Sequence, residues 1–260
     1  MQELVRAYQR DGVGVVKGAF SQEDVNRIRS AAFMALTRLS DISANGYRHL
    51  ALEIVDRGTG PSPALLFWPT LASPVLNEYR AHPCLQQIVR SILGQDVKQL
   101  NNQIYFRLPG DGDTFAWHQD IMFREPRADY PGIVENNAYL QTAIIVDGMS
   151  RKNGGIEFVL GSHLLGDLGL PHHHEYAGLR GFERERTAAR FKHLPTRVVE
   201  ADPGDVLVWS ALTVHGSQSN SSPHHRMYYM NGFANAEHAR PWPYYLRAGQ
   251  MPPLDPTRIP

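Results

Sequence analysis

The sequence predicts a mainly β fold with flanking helices. Three observations carry that expectation. Helical spacing of apolar residues is confined to the first part of the chain, ending near Gly94. Beyond it, seven short runs rich in β-branched and aromatic residues alternate with turn signals. The length, 260 residues, suits one all-β domain of ordinary size.

In chain order, residues 2–10 read as a short helix and GVGVVKGAF as a brief strand. SQEDVNRIRSAAFMALTRL follows as a helix, with Ser21 as its N-cap and Asp24 completing a capping box in place of Glu. Val25, Ile28, Ala32 and Leu36 form its apolar face. Residues 40–70, rich in Gly, Pro and Ser, read as irregular. Two helices are expected at about 72–81 and 84–93, the second ended by Gly94. The β runs are VKQLNNQIYFRL, TFAWHQDIMF, AYLQTAIIVDG, GIEFVLGSH, TRVVEA, GDVLVWSALTVHGSQS and HRMYYMNGFA. Helices packed on such a set of strands suggest a double-stranded β-helix, the jelly-roll or cupin-like core. Residues 166–196 interrupt the strand pattern and read as an insertion within a single domain spanning 1–260.

Composition excludes several classes. Lys and Arg number 26 and so do Asp and Glu, so the chain lacks the basic excess that nucleic acid demands. No apolar run is long enough for a membrane span. The N-terminal MQELVRAYQRDG lacks the apolar stretch of a signal peptide, and the terminal TRIP is not a peroxisomal address. With Cys84 as the one cysteine, no internal disulfide forms. A cytoplasmic protein is expected. Oligomeric state is not legible.

The chemistry concentrates at Trp117-His118-Gln119-Asp120. Residues two apart on a strand share a face, so His118 and Asp120 can reach one metal ion. Alone the pair is weak evidence and reads more readily as a surface ion pair. His215, at the end of another apolar β run, supplies a third ligand. Two histidines and one carboxylate form the facial set that suits iron(II) in oxygenases. A closed zinc site would want a fourth ligand, usually cysteine. Arg226 follows His215 by eleven residues, across a turn marked by Pro223 and its Ser/Asn neighbours. A guanidinium fork there is a natural carboxylate partner, with Ser217 as a hydroxyl donor beside it. A structural salt bridge is the plainer reading of Arg226, but beside the three metal ligands co-substrate binding is preferred.

These residues sit in segments whose order and spacing resemble the phytanoyl-CoA dioxygenase family of iron(II)/2-oxoglutarate-dependent oxygenases. The matching segments are DGVGVVKGAFSQEDVNRIR, NNQIYFRLPGDG before WHQD, VDGMSRKNGGIEFVLGSHLLG, and PGDVLVWSALTVHGSQSNSSPHHR. They run from about residue 10 to 235. The resemblance implies a jelly-roll core, Fe(2+) held by His118, Asp120 and His215, and 2-oxoglutarate and O2 as co-substrates. It implies that Arg226 and Ser217 grip the distal carboxylate of 2-oxoglutarate. It also points to Gln103, Arg107 and Thr142 as further residues of the same pocket. One departure is Leu160-Gly161-Ser162-His163, where the family's usual segment begins with Pro.

The implied activity is hydroxylation of a small-molecule metabolite with release of succinate and CO2. Asp120 argues against halogenation, since family halogenases replace that carboxylate with a small residue. The alternative is a cupin-type metal-dependent oxygenase or isomerase that does not use 2-oxoglutarate, against which Arg226 and Ser217 speak. A non-catalytic binding protein is a third reading, opposed by the intact ligand set. The substrate itself is not legible. The insertion at 166–196 is expected to cover the metal site and to contact substrate through Arg190 or His193. His172–His174, His224 and His225 read as loop residues, His163 as supporting or structural, and Asp111 and Asp113 as turn residues. Trp117, Phe123 and Tyr130 read as packing or as substrate-site walls.

Overall fold

The computed structural model describes residues 1–37, 50–56, 61–112, 114–170 and 189–260. Helix α1 (Gln2–Asp11) ends at Gly12, which takes φ 77° and donates its N–H to Tyr8 O at 2.9 Å. A left-handed residue here needs glycine. Strand β1 (Val13–Val16) follows, then α2 (Gln22–Thr37). The Asp-for-Glu capping box forms: Asp24 N donates to Ser21 Oγ at 3.1 Å, and Ser21 N to Asp24 Oδ2 at 2.9 Å.

Residues 40–70 depart from the expected irregular stretch. Among the described residues, β2 (Ala51–Asp56) and β3 (Pro61–Phe67) form an antiparallel pair. Composition misleads here because tertiary pairing decides. Only Leu65–Phe67 of β3 pair with β4, so Pro61 and Pro63 stay clear of that ladder. Helices α3 (Pro74–Arg80) and α4 (Pro83–Leu93) match the expected pair. Each carries proline in its first turn, where the missing N–H costs nothing. Ser73 Oγ caps α3 and Gly94 ends α4.

The remaining strands are β4 (Val97–Arg107), β5 (Phe115–His118), β6 (Tyr139–Ile145), β7 (Ile156–Val159), β8 (Thr196–Val198), β9 (Val206–Ser210), β10 (His215–Ser217), β11 (Arg226–Asn235) and β12 (Tyr244–Leu246). They build two antiparallel sheets. The larger has the order β1-β9-β6-β11-β4-β3-β2, with β12 also on β4, and the smaller has β5-β10-β7-β8. This is the jelly-roll architecture. The run GDVLVWSALTVHGSQS, read as one apolar stretch, is two strands in different sheets: β9 in the larger and β10 in the smaller. Residues 211–214 make that crossing.

Both faces of the larger sheet are buried, which divides the core. Leu140, Ile144, Val208 and Tyr229 face the helices and pack with Val25 and Ile28 of α2. Ala143, Leu207, Trp209 and Met230 face the smaller sheet and meet Ile156 and Phe158 of β7. Each fully buried aliphatic or aromatic side chain contributes about 1.5–3 kcal/mol. The two layers thus hold the inner faces at a fixed separation, and the polar site lies between them.

Candidate active site

His118 ends β5 and His215 begins β10, and the two are directly paired across that ladder. Gln119 is extended at φ −118°, so alternation carries past the end of β5 and returns Asp120 to the side of His118. Asp120 opens a short 3-10 turn, Asp120–Phe123, rather than continuing a strand. One ligand atom from each of His118, Asp120 and His215 lies within 4.8 Å of the others. His118 Nε2 stands 3.7 Å from Asp120 Oδ1, and His215 Nε2 stands 3.7 Å from Asp120 Oδ2.

The hydrogen bonds around the imidazoles set their chemistry. His118 Nδ1 lies 2.9 Å from Ala116 O, and His215 Nδ1 lies 2.9 Å from Thr213 O. A carbonyl can only accept, so each Nδ1 carries the proton and each Nε2 keeps its lone pair for a metal. Burial, with His118 alongside, pushes the His215 pKa down to about 4, so the ring is neutral at physiological pH. Burial opposes ionisation of Asp120, but His215, His118 and the Trp209 indole N–H, 2.8 Å from Oδ2, outweigh it. Its carboxyl titrates at about 2. Two imidazoles and one carboxylate, with both Nε2 atoms 3.7 Å from the carboxylate oxygens, fit a divalent transition metal.

The cleft lined by His118, Asp120 and His215 is lined on its other side by Arg226, Arg107 and Ser217. Arg226 begins β11 and pairs with Arg107, the last residue of β4. The turn before Arg226 thus does what the sequence required, bringing it back beside His215 on the opposite sheet. Arg226 is 2% exposed, and its Nε and Nη1 make no hydrogen bond. Burial lowers its pKa to about 10, which leaves it charged at neutral pH. A buried guanidinium with idle donors is costly, and a carboxylate is the group that satisfies it. Arg107 is held differently, by Asp111 at 3.2 Å and toward Ser217 Oγ at 3.4 Å. Asp111, expected to be a turn residue, is therefore a buried ion-pair partner. Asp113 lies outside the described residues.

Gln103 lies on the same face of β4 as Arg107, two steps farther along, and accepts from Asn101 Nδ2 at 3.2 Å. It does not line the floor of the cleft. Thr142 is on the wrong face. It pairs with Val208 and Asn231, its Oγ1 donates to Asn231 O at 3.1 Å, and it shares the helix-facing side of β6 with Leu140 and Ile144. Gln141 and Ala143 occupy the inward side instead. Residues that sequence reading missed include Tyr105 and Tyr228, stacked with centroids 4.7 Å apart beside Arg226. Alternation was the available signal: Tyr228 is two after Arg226, and Tyr105 two before Arg107. Trp209, which holds Asp120 from the opposite sheet, left no sequence signal.

A family model described as phytanoyl-CoA dioxygenase matches residues 8–228, most of the chain. The chain belongs to the phytanoyl-CoA dioxygenase family. Among curated relatives it is 28% identical to a "Probable alpha-ketoglutarate-dependent hypophosphite dioxygenase" of Stutzerimonas stutzeri, over 60% of this chain but only 50% of that protein. It is 24% identical to an ectoine dioxygenase of Sphingopyxis alaskensis over 98% of this chain and 85% of the relative. The crystal structure of EctD from S. alaskensis with 2-oxoglutarate and 5-hydroxyectoine superimposes with a TM-score of 0.70 at 20% identity, covering all of this chain and 83% of that one. This last likeness establishes the shared fold.

Other residues singled out in this family member lie elsewhere. His163 hydrogen-bonds Gln9 O at 3.1 Å and serves the docking of α1. His224 and His225 are exposed, as expected of a turn. Tyr130 is buried and accepts from Trp242 Nε1 at 2.8 Å, and Phe123 lies edge-on to His118 at 6.1 Å between centroids. Arg190 and His193 are exposed and are not among the residues that line the cleft. His172–His174 and the rest of 171–188 lie outside the described residues. Among the described residues, no helix is long and apolar enough to cross a membrane.

Proposed function

We propose that this chain hydroxylates a small-molecule metabolite, with His118, Asp120 and His215 holding iron(II) and Arg226, aided by Ser217, anchoring 2-oxoglutarate. The enzyme class is a non-haem dioxygenase with iron(II), 2-oxoglutarate and O2 as its cofactor and co-substrates. The observation that carries the site assignment is the convergence of three ligand atoms within 4.8 Å on a cleft whose floor is a buried arginine with idle donors.

His118 and His215 would bind iron through Nε2, and Asp120 through its carboxylate. When bound, the iron couples oxidative decarboxylation of 2-oxoglutarate by O2, to succinate and CO2, with transfer of the second oxygen atom into a substrate C–H bond. The protein's own tasks are positional. Arg226, itself buried, fixes the far end of the co-substrate by a charge-assisted pair. The Tyr105–Tyr228 stack walls its aliphatic stem. Trp209 keeps Asp120 oriented while His118 and His215 keep their tautomers.

A balanced surface charge and the small cleft favour a small, soluble substrate over nucleic acid or a membrane component. We read the chain as one domain over 1–260, with an insertion at about 166–196, and as cytoplasmic. The second reading, a cupin-type enzyme without 2-oxoglutarate, lacks a use for the idle donors of Arg226.

Anaerobic titration with iron(II) and then 2-oxoglutarate tests this. The expected result is one iron per chain and a visible charge-transfer band on adding 2-oxoglutarate. His118→Ala should lose the iron. Arg226→Ala should keep the iron and raise the 2-oxoglutarate KM steeply, with Arg226→Lys recovering only part, since a point charge cannot replace the fork. Iron binding without any response to 2-oxoglutarate would favour the second reading.

A further inference from the structure

The segment expected to cover the metal site is anchored behind it. Successive residues of a strand face opposite ways, so the neighbours of the three ligands point to the outer face of the smaller sheet. Trp117 precedes His118, and Val214 precedes His215. Both belong to a buried cluster with Val159 that also takes in Leu170 from one end of the 166–196 segment and Phe191 from the other. Leu168 and Leu194 pack at its edge. Phe191 is 2% exposed and meets Trp117 edge-on, with centroids 5.7 Å apart.

Gln119, between His118 and Asp120, completes the arrangement. It is 1% exposed. Its Nε2 donates to Gly166 O at 2.8 Å and to Leu212 O at 2.6 Å, and its Oε1 accepts from Leu168 N at 2.8 Å. Two partners are carbonyls and one is an N–H, so the amide has only one workable orientation. One side chain thereby joins the end of β5 between His118 and Asp120, the start of the segment, and the crossing turn that delivers His215.

We propose that the anchored ends of the 166–196 segment brace the metal-bearing strands from behind, with Gln119 as the positioning residue that couples them to His118, Asp120 and His215. The proposal rests on the assignment of those three residues as iron ligands. It differs in consequence from a cover over the cleft. Loosening a cover changes how oxidation is coupled to substrate and leaves the metal in place, whereas loosening a brace releases the metal.

The test compares wild type with Gln119→Met, which keeps the length of the side chain and removes its hydrogen bonds. Two readouts are needed: the rate at which a chelator strips iron(II) from the loaded protein, and the rate of tryptic cleavage after Arg190 and Lys192 in the metal-free protein. Groups that orient metal ligands from behind typically govern about 10–100-fold in metal affinity. Gln119→Met should lose iron at least about tenfold faster and be cut faster, while iron-loaded protein keeps a 2-oxoglutarate KM near wild type, because the contact with Arg226 on the other sheet is untouched. A folded Gln119→Met that holds iron and resists trypsin like wild type overturns the proposal. If that variant does not fold, Phe191→Ala loosens the brace from the segment side without touching the metal strand, and wild-type iron retention there overturns it equally. A wild-type protein that binds no iron refutes the ligand assignment instead. The trypsin comparison on metal-free protein still judges the brace.

Discussion

Two histidines whose Nδ1–H groups are spent on carbonyls two residues behind them have little freedom left, and the arrangement has a pH signature. Burial holds His215 neutral with a pKa of about 4, against an ordinary value of 6.5. In the unfolded chain the ring takes up a proton as pH falls through 6.5, while in the folded protein it does not until about 4. Stability of the metal-free protein is therefore full above 6.5 and falls between the two values. His163, also pushed down by burial, acts in the same direction. Asp120 has the depressed pKa of a carboxylate, about 2 against 3.8, so its contribution survives until pH drops below 3.8 and lies outside this window. Denaturant unfolding in chelator between pH 6.5 and about 5 should show a slope approaching about 1.4 kcal/mol per pH unit from His215. His215→Gln should flatten it by one histidine's share. An unchanged slope in that variant would mean that the ring is not held neutral by the fold. The convergence of His118, Asp120 and His215 was legible because alternation past His118 and a histidine at the end of a distant β run place all three on one inner face. Thr142 was misplaced for a physical reason: β6 is buried throughout, so its sequence carries no inward–outward contrast from which to read phase.

At the level of elements, the decisive feature is the crossing at residues 211–214, which the sequence conceals inside one apolar run. It places Trp209 on the larger sheet and His215 on the smaller, so the two approach Asp120 from opposite sides. Ser162 secures the crossing. Its Oγ donates to Val159 O at 2.7 Å and accepts from Val214 N at 2.8 Å, and the residue is fully buried. The turn expected at Leu160–His163 is thus a splint between β7 and β10, and the leucine at its head does not disturb it. Ser162→Ala leaves the Val214 N–H buried without a partner, which costs about 1–3 kcal/mol. Chemical denaturation should show that loss with an unchanged m-value. A loss under about 0.5 kcal/mol would mean that the splint is dispensable. The β2–β3 pair was illegible for the opposite reason. The prolines and glycine-rich surroundings signal a loop, and only the pairing of β2 with β3, itself docked on β4, makes it strand.

Across the whole molecule, the two sheets divide the work between them. His118, Asp120 and His215 belong to the smaller sheet and its continuation, and Arg226 with Arg107 to the larger. Under the proposed assignment, metal would be held by the first and the co-substrate carboxylate by the second, so 2-oxoglutarate bound to both would tie one sheet to the other. That division implies a thermodynamic interaction between the ligands. A ligand that binds only the folded state at about 100 times its Kd adds about 2.7 kcal/mol. For a chain of this size each kcal/mol raises Tm by about 2–4 °C. Without metal, 2-oxoglutarate keeps only its contact with Arg226 and should scarcely shift Tm. With anaerobic iron(II) present, it should add several degrees beyond the shift from iron alone. His118→Ala should abolish both shifts, and Arg226→Ala should retain the iron shift while losing most of the added one. Equal 2-oxoglutarate shifts with and without iron would place its binding energy wholly on the larger sheet, and the two halves of the site would then be independent.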